Sequence, residues 1–190
     1  MKHASIIALL LLTGCDESRT VTWPDSQVVE PDNSTTPPAK PEQSAAEFTG
    51  KVIGVVDGDT IDVLTDDKET IRIRLNGIDT PERGQPFGSN AKRFVSDAIA
   101  GKMVRIETHG GDKYGRTIGD IFHNGVLINR ELVRAGLAWW YVQYAPDRTD
   151  LVDAERKARA DNAGLWAGSH KPVAPWDWRK LSKEERDMHR

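Results

Sequence analysis

Three short segments concentrate acids and arginines at points where the chain reverses. The first is Asp57-Gly58-Asp59-Thr60. The second runs from Arg74 to Asp79-Thr80-Pro81-Glu82, and the third is Asp112-Lys113-Tyr114-Gly115-Arg116. Carboxylate and carbonyl oxygens are hard donors suited to a divalent cation such as Ca²⁺, which takes about 6 to 8 of them in loose geometry. Guanidinium forks match the oxygens of a tetrahedral anion two at a time. A cation and two arginines could therefore grip one anion while a further carboxylate acts on a water molecule. Singly, each segment has a plainer reading. Asp-Gly-Asp is a common turn, Asp-Thr-Pro-Glu can be a loop entering a helix, and Lys-Tyr-Gly-Arg is a basic turn. The joint presence of all three points to chemistry.

The flanking residues say what must hold these segments. Alternating apolar residues rich in Val, Ile and Thr predict strands over 48–56, 60–64 and 70–75, with a hairpin turn at Asp66-Asp67-Lys68. Ala91, Phe94, Val95, Ala98 and Ile99 recur at helical spacing and predict a helix over 88–99, stopped by Gly101. Two more strands are expected over 103–108 and 117–122, then a turn at Asn124-Gly125. A short helix over 127–135 and a third over 150–163 follow, the last capped by Thr149 or Asp150. Five short strands with a helix between the third and fourth match an OB-fold barrel, so the expected class is α+β, mainly β, with three helices.

Composition bounds the partners. The chain carries 26 Lys and Arg against 29 Asp and Glu, a net charge of −3. Much of the acidity lies in residues 16–47, where seven acids face only Arg19 and Lys40. The remainder is close to neutral, which excludes a tight non-specific binder of polyanions and leaves room for a local phosphate site. The single cysteine, Cys15, rules out an internal disulfide. Residues 16–47 are rich in Pro, Ser, Thr, Asp and Glu without apolar period, the composition of a disordered tether.

Lys2 and the apolar run 6–12 have the charge and length of a signal-peptide core, far short of the roughly 20 residues of a membrane span. Leu12-Thr13-Gly14-Cys15 resembles the lipobox of bacterial lipoproteins. That resemblance implies cleavage before Cys15 and acylation of its thiol, which would fix the protein to a membrane outside the cytoplasm. The expected organisation is a signal peptide over 1–14, the lipidated cysteine and linker over 15–47, a folded domain over 48–168 and an aromatic, charged tail over 169–190.

Over about residues 48–168 the three segments together resemble the staphylococcal nuclease (thermonuclease) family. The resemblance implies a metal-dependent nuclease that cleaves DNA, RNA or both with little sequence preference and leaves 3'-phosphate products. Asp59 and Asp79 match the family's calcium carboxylates, and Thr80 the residue that adds its backbone carbonyl. Glu82 matches the carboxylate that acts on the attacking water, as base or as positioner. Arg74 and Arg116 match the phosphate-binding arginines, and Lys113 and Tyr114 line the nucleotide site. Calcium or another divalent ion is the implied cofactor. A further tyrosine stacks on the base in that family. Here Tyr141 or Tyr144 fills the role, with Tyr141 preferred. No obligate protein partner is evident. Two rival readings are a non-catalytic OB-fold lipoprotein that binds nucleic acid, and a structural envelope lipoprotein. Retention of every matched acid and arginine favours the enzyme over both.

Overall fold

The computed structural model describes residues 46–168 and 171–189. The signal peptide, Cys15 and nearly all of the linker expected from the sequence lie outside the described residues.

Alternation of apolar and polar residues builds the sheet. β1 (Glu47–Val55), β2 (Thr60–Leu64), β3 (Thr70–Leu75) and the two-residue β4 (Ile78–Asp79) precede helix α1 (Gly88–Ile99). β5 (Met103–Gly111), β6 (Thr117–His123) and β7 (Val126–Leu127) follow, then α2 (Ile128–Arg134), β8 (Trp139–Trp140) and α3 (Thr149–Ala160). A 3₁₀ turn (Gly164–Trp166), α4 (Pro175–Trp178) and α5 (Lys183–Met188) end the chain. The main sheet runs β3-β2-β1-β5-β6-β7, and a parallel pairing of β3 with β6 closes the five long strands into a barrel. Closure leaves no free edge among those five. The expected OB-fold barrel and α+β class are what the chain adopts.

Because side chains alternate across a strand, Ile61 and Val63 of β2 point inward while Asp62 points out. Asp62 faces Arg72 across the β2–β3 ladder, which binds it at 2.8 and 3.0 Å on the solvent side. Ile73, Leu75, Val104, Ile106 and Ile121 complete the barrel interior. Helix α1 covers one end with Ala91, Val95 and Ile99, and Leu132, Val133 and Leu151 of α2 and α3 join the same core. The Asn124-Gly125 turn has positive φ at both residues, the backbone of a type I′ hairpin.

Three expectations are corrected. Helix α3 starts at Thr149 with Arg148 as its N-cap and no side-chain cap, since neither Thr149 nor Asp150 occupies that place. It ends at Ala160 rather than 163, because Asn162 turns into the left-handed region at φ 51°. Beyond the three expected helices, the tail forms α4 and α5. Pro175 opens α4 at a position where its missing N–H costs nothing, and Ser182 with Glu185 forms a capping box at the start of α5.

Candidate active site

The first two acid-bearing segments meet at one end of the barrel because of strand register. Thr60 sits opposite Arg74 in the β2–β3 ladder, and the Leu75 amide donates to the Asp59 carbonyl at 2.8 Å. Arg74 therefore emerges beside Asp59. Asn76 and Gly77 then turn the chain into β4, which pairs with β8 so that Asp79 lies across from Trp139. The Tyr141 amide donates to the Gly77 carbonyl at 2.8 Å and fixes this turn. Gly58 is required between the two aspartates. A Cβ there would come within 2.7 Å of Ala91 on α1 and 2.9 Å of the Thr80 hydroxyl.

Asp59 and Asp79 are buried, at 6% and 1% exposure. Asp59 Oδ2 accepts from the Thr80 amide at 2.8 Å and the Thr80 hydroxyl at 2.7 Å. The Arg74 guanidinium bridges the two acids. Its Nη2 donates to Asp79 Oδ1 at 2.9 Å, and its Nη1 lies 2.8 Å from Asp59 Oδ2. The second contact is one of charge rather than a directed bond: buried Nη1 has no aligned hydrogen-bond acceptor among the described residues.

The electrostatics are crowded. Burial would raise the Asp59 carboxyl, but Arg74 and then the Thr80 hydrogen bonds outweigh it and hold it below the usual carboxylate range. Burial raises Asp79, and the Asp59 charge adds to it despite Arg74 and Arg179. Asp57, beyond Gly58, is pushed up to about 6 by burial and then by Asp59. Three carboxyls thus share a site in which negative charge is undercompensated.

Glu82 stands in the loop before α1 and is partly exposed. Gln85 is buried and holds that loop, accepting from the Glu82 amide at 2.9 Å and donating to the Val173 carbonyl at 2.7 Å. Gly88 lets the loop close on the helix, since a Cβ there would meet the Glu82 carbonyl at 2.3 Å. Arg179, just after α4, ties Glu82 to the aspartates: its Nη1 donates to Glu82 Oε1 at 2.6 Å and its Nη2 to Asp79 Oδ2 at 2.7 Å. Sequence reading treated Arg179 only as part of a tail and did not single out Gln85. Neither carries a local pattern, since each acts on residues far away along the chain.

The third segment forms its own turn between β5 and β6. Arg116 is engaged by Asp112, with Nε to Oδ2 at 2.7 Å, and its guanidinium lies 5.5 Å from the centre of the Tyr114 ring, which Lys113 Nζ approaches at 5.1 Å. Tyr114 is 72% exposed. Among the described residues no hydrogen bond or ion pair joins this turn to Asp59 or Asp79. Its link to them is the barrel closure: Thr117, next to Arg116, pairs with Ile73, next to Arg74. Tyr141 stacks on Trp176 at 5.1 Å and 13°, and Tyr144 meets it edge-on at 4.7 Å. The Tyr141 phenol is raised by burial and then by the Asp79 charge, which marks its nearness to the carboxylates.

The donor set suits a hard cation. Among the described residues no group of three or more His, Cys, Asp or Glu gathers to hold a metal. An ion here would rest on the two carboxylates and water, oxygen donors of the kind a hard divalent cation takes. An anion brought alongside would meet the positive charge of the Arg74 guanidinium, whose side chain is 15% exposed.

The family model described as staphylococcal nuclease homologue matches residues 72–168. An uncharacterized endonuclease of Haemophilus influenzae is 39% identical over 140 residues, 74% of this chain and 78% of its own. A micrococcal nuclease of Shigella flexneri is 38% identical over 148 residues, covering 73% and 84%. An uncharacterized endonuclease of Escherichia coli O157:H7 is 40% identical over 135 residues, covering 70% and 86%.

Proposed function

Because this chain belongs to the staphylococcal nuclease family, we propose that it is a calcium-dependent nuclease that hydrolyses phosphodiester bonds of DNA or RNA with little sequence preference and leaves 3'-phosphate ends. The observation that carries this reading is the joining of buried Asp59 and Asp79 by the single Arg74 guanidinium.

Asp59, Asp79 and the Thr80 carbonyl hold the cation, which supplies charge neutralisation and Lewis acidity when bound. Arg74 binds a non-bridging phosphate oxygen, and its donors strengthen as charge builds toward the transition state. Arg116 makes the second guanidinium contact, exchanging Asp112 for phosphate. Glu82 accepts a proton from the attacking water or orients it. Lys113, Tyr114 and Tyr141 line the nucleotide. Tyr144, 69% exposed, is the ring of the Tyr141–Tyr144 pair that is free to meet a base. The sequence around Cys15 supports a lipid anchor that keeps the enzyme outside the cytoplasm.

The test is digestion of single-stranded DNA and RNA by the purified protein with calcium, with chelator, and with end-group analysis. Calcium-dependent cleavage to 3'-phosphate ends is expected. Binding without cleavage under any divalent ion would favour a non-catalytic module.

A further inference from the structure

The segment after residue 168 lies beyond the nuclease-like domain read from the sequence, yet it meets the loop that carries Glu82 at two places. The Val173 carbonyl accepts from Gln85 Nε2 at 2.7 Å, and Gln85 Oε1 in turn accepts from the Glu82 amide at 2.9 Å. Arg179 Nη1 donates to Glu82 Oε1 at 2.6 Å, while its Nη2 donates to Asp79 Oδ2 at 2.7 Å. Among the described residues the Glu82 carboxylate has no other hydrogen bond or ion pair. The segment itself is firmly seated. Pro175 and Trp178 of α4 are buried, and Trp176 packs edge-on against Trp139 of β8, the strand that pairs with Asp79. Arg186 of α5 donates to the carbonyls of Trp178 and Arg179 at 3.1 Å each, which pins the end of α4 and with it the Arg179 backbone.

We propose that Arg179 is a positioning residue for the hydrolysis: it holds Glu82, the carboxylate that acts on water, at a fixed place beside Asp79, and α4 and α5 are the mount that holds Arg179. The inference rests on the nuclease reading above. Glu82 stands on a loop with its side chain 39% exposed, near a buried carboxylate of the same charge. Left to those forces, its side chain turns to solvent. A guanidinium between the two acids offsets their repulsion, and its planar fork fixes the direction of each carboxylate as well as their separation. Arg74 cannot do this, since it is confined to β3 and reaches Asp59 and Asp79 but not Glu82. An ionised carboxylate has about four lone-pair sites, so Asp79 can accept from both arginines and still act as a ligand. Placement matters because a misplacement of about 1 Å at a reacting group can cost on the order of 10²-fold in rate.

The experiment measures kcat and KM on single-stranded DNA with calcium for the wild type, Arg179→Ala, Arg179→Lys, Glu82→Ala and the double variant of Arg179→Ala with Glu82→Ala. Amide hydrogen exchange of the loop 81–88 is followed in the calcium-free wild type and Arg179→Ala. The Arg179 side chain is 44% exposed, and buried Trp178 keeps the tail in place without it. Arg179→Ala should lower kcat about 10- to 100-fold, the range for a partner that orients a ligand, with KM near that of the wild type. Arg179→Lys should recover only part, because one ammonium cannot fix both acids. Once Glu82 is absent, Arg179→Ala should cost little more. The Glu82 and Gln85 amides should exchange faster in Arg179→Ala. Equal losses with and without Glu82 would show that the arginine acts elsewhere and would overturn the inference. A rise in KM alone, the mark of a substrate contact, would do the same, as would unaltered exchange. Absence of cleavage by the wild type overturns the nuclease reading itself, and the role of Arg179 with it. Wild-type cleavage with an unaltered kcat in Arg179→Ala removes the positioning role alone.

Discussion

Asp79 on β4 and Asp120 on β6 are both carboxylates buried under arginine, yet their surroundings differ in kind. Asp120 accepts from Arg148 Nη1 at 3.0 Å on each oxygen, from Asn129 Nδ2 at 3.0 Å, and lies 2.9 Å from His109 Nε2. Arg148 spends its remaining fork on Asp150 at 2.8 and 2.9 Å. Asn129, fully buried, accepts from the Ile121 amide and donates to the carbonyls of Asn76 and Gly119. This network joins β6, α2, α3 and the turn before β4, and its partners are matched. Around Asp79, the Asp59 charge crowds in, and buried Arg74 Nη1 meets Asp59 without an aligned hydrogen bond. A network with matched partners fixes elements in place. One that leaves charge and a donor unmatched is suited to a ligand that completes it.

Substitutions can sharpen that contrast. The largest effect is expected at Arg74→Lys, which keeps a charge beside the carboxylates but loses the planar fork. Turnover should fall about 10²-fold or more, as for loss of other charge-stabilising donors, while thermal unfolding moves little. Equal losses of stability and turnover would merge the two networks into one structural role.

Asn129→Ala should behave in the opposite way. It leaves the Ile121 amide and the Asn76 carbonyl without that partner, so unfolding in urea should show a loss of about 2 kcal/mol. Turnover per folded molecule should stay near that of the wild type at temperatures well below melting.

The smallest effect concerns pH. Arg148 holds the Asp150 carboxyl below its ordinary value, against a smaller opposing effect of burial. A depressed carboxylate contributes stability above its unfolded value, near 4, and loses it as pH falls through the folded one. Asp150→Asn should therefore lower stability at pH 7 by about 0.5 to 1 kcal/mol, discounted for exposure, and the difference from the wild type should fade as pH falls below the ordinary carboxylate value. A difference that persists in acid would assign the effect to packing.

Much of the barrel was legible because its signal is local. β2, β3 and α1 fall on the residues that alternation and helical spacing mark out. Asp59, Arg74, Asp79 and Thr80 stood out because their motif lies at the ends of those strands. β4 and β8 were missed: two residues are too few to show a period, and each forms only against the other. Arg179 meets Asp79 across 100 residues, and no local spacing encodes such a contact. The cap of α3 was misplaced because Thr149 and Asp150 have capping side chains, while the tertiary pull of Asp120 and Asp150 on Arg148 sets the actual start. Asn129 gave no sign at all, since one amide in a short helix looks like any polar position.

Calorimetric titration of calcium into the protein and into Asp59→Asn, Asp79→Asn and Asp120→Asn separates the two networks in one measurement. One ion per chain should bind to the wild type and to folded Asp120→Asn, and binding should collapse in the other two variants. Equal calcium binding by all four proteins, or none by the wild type, would contradict a cation site built from Asp59 and Asp79.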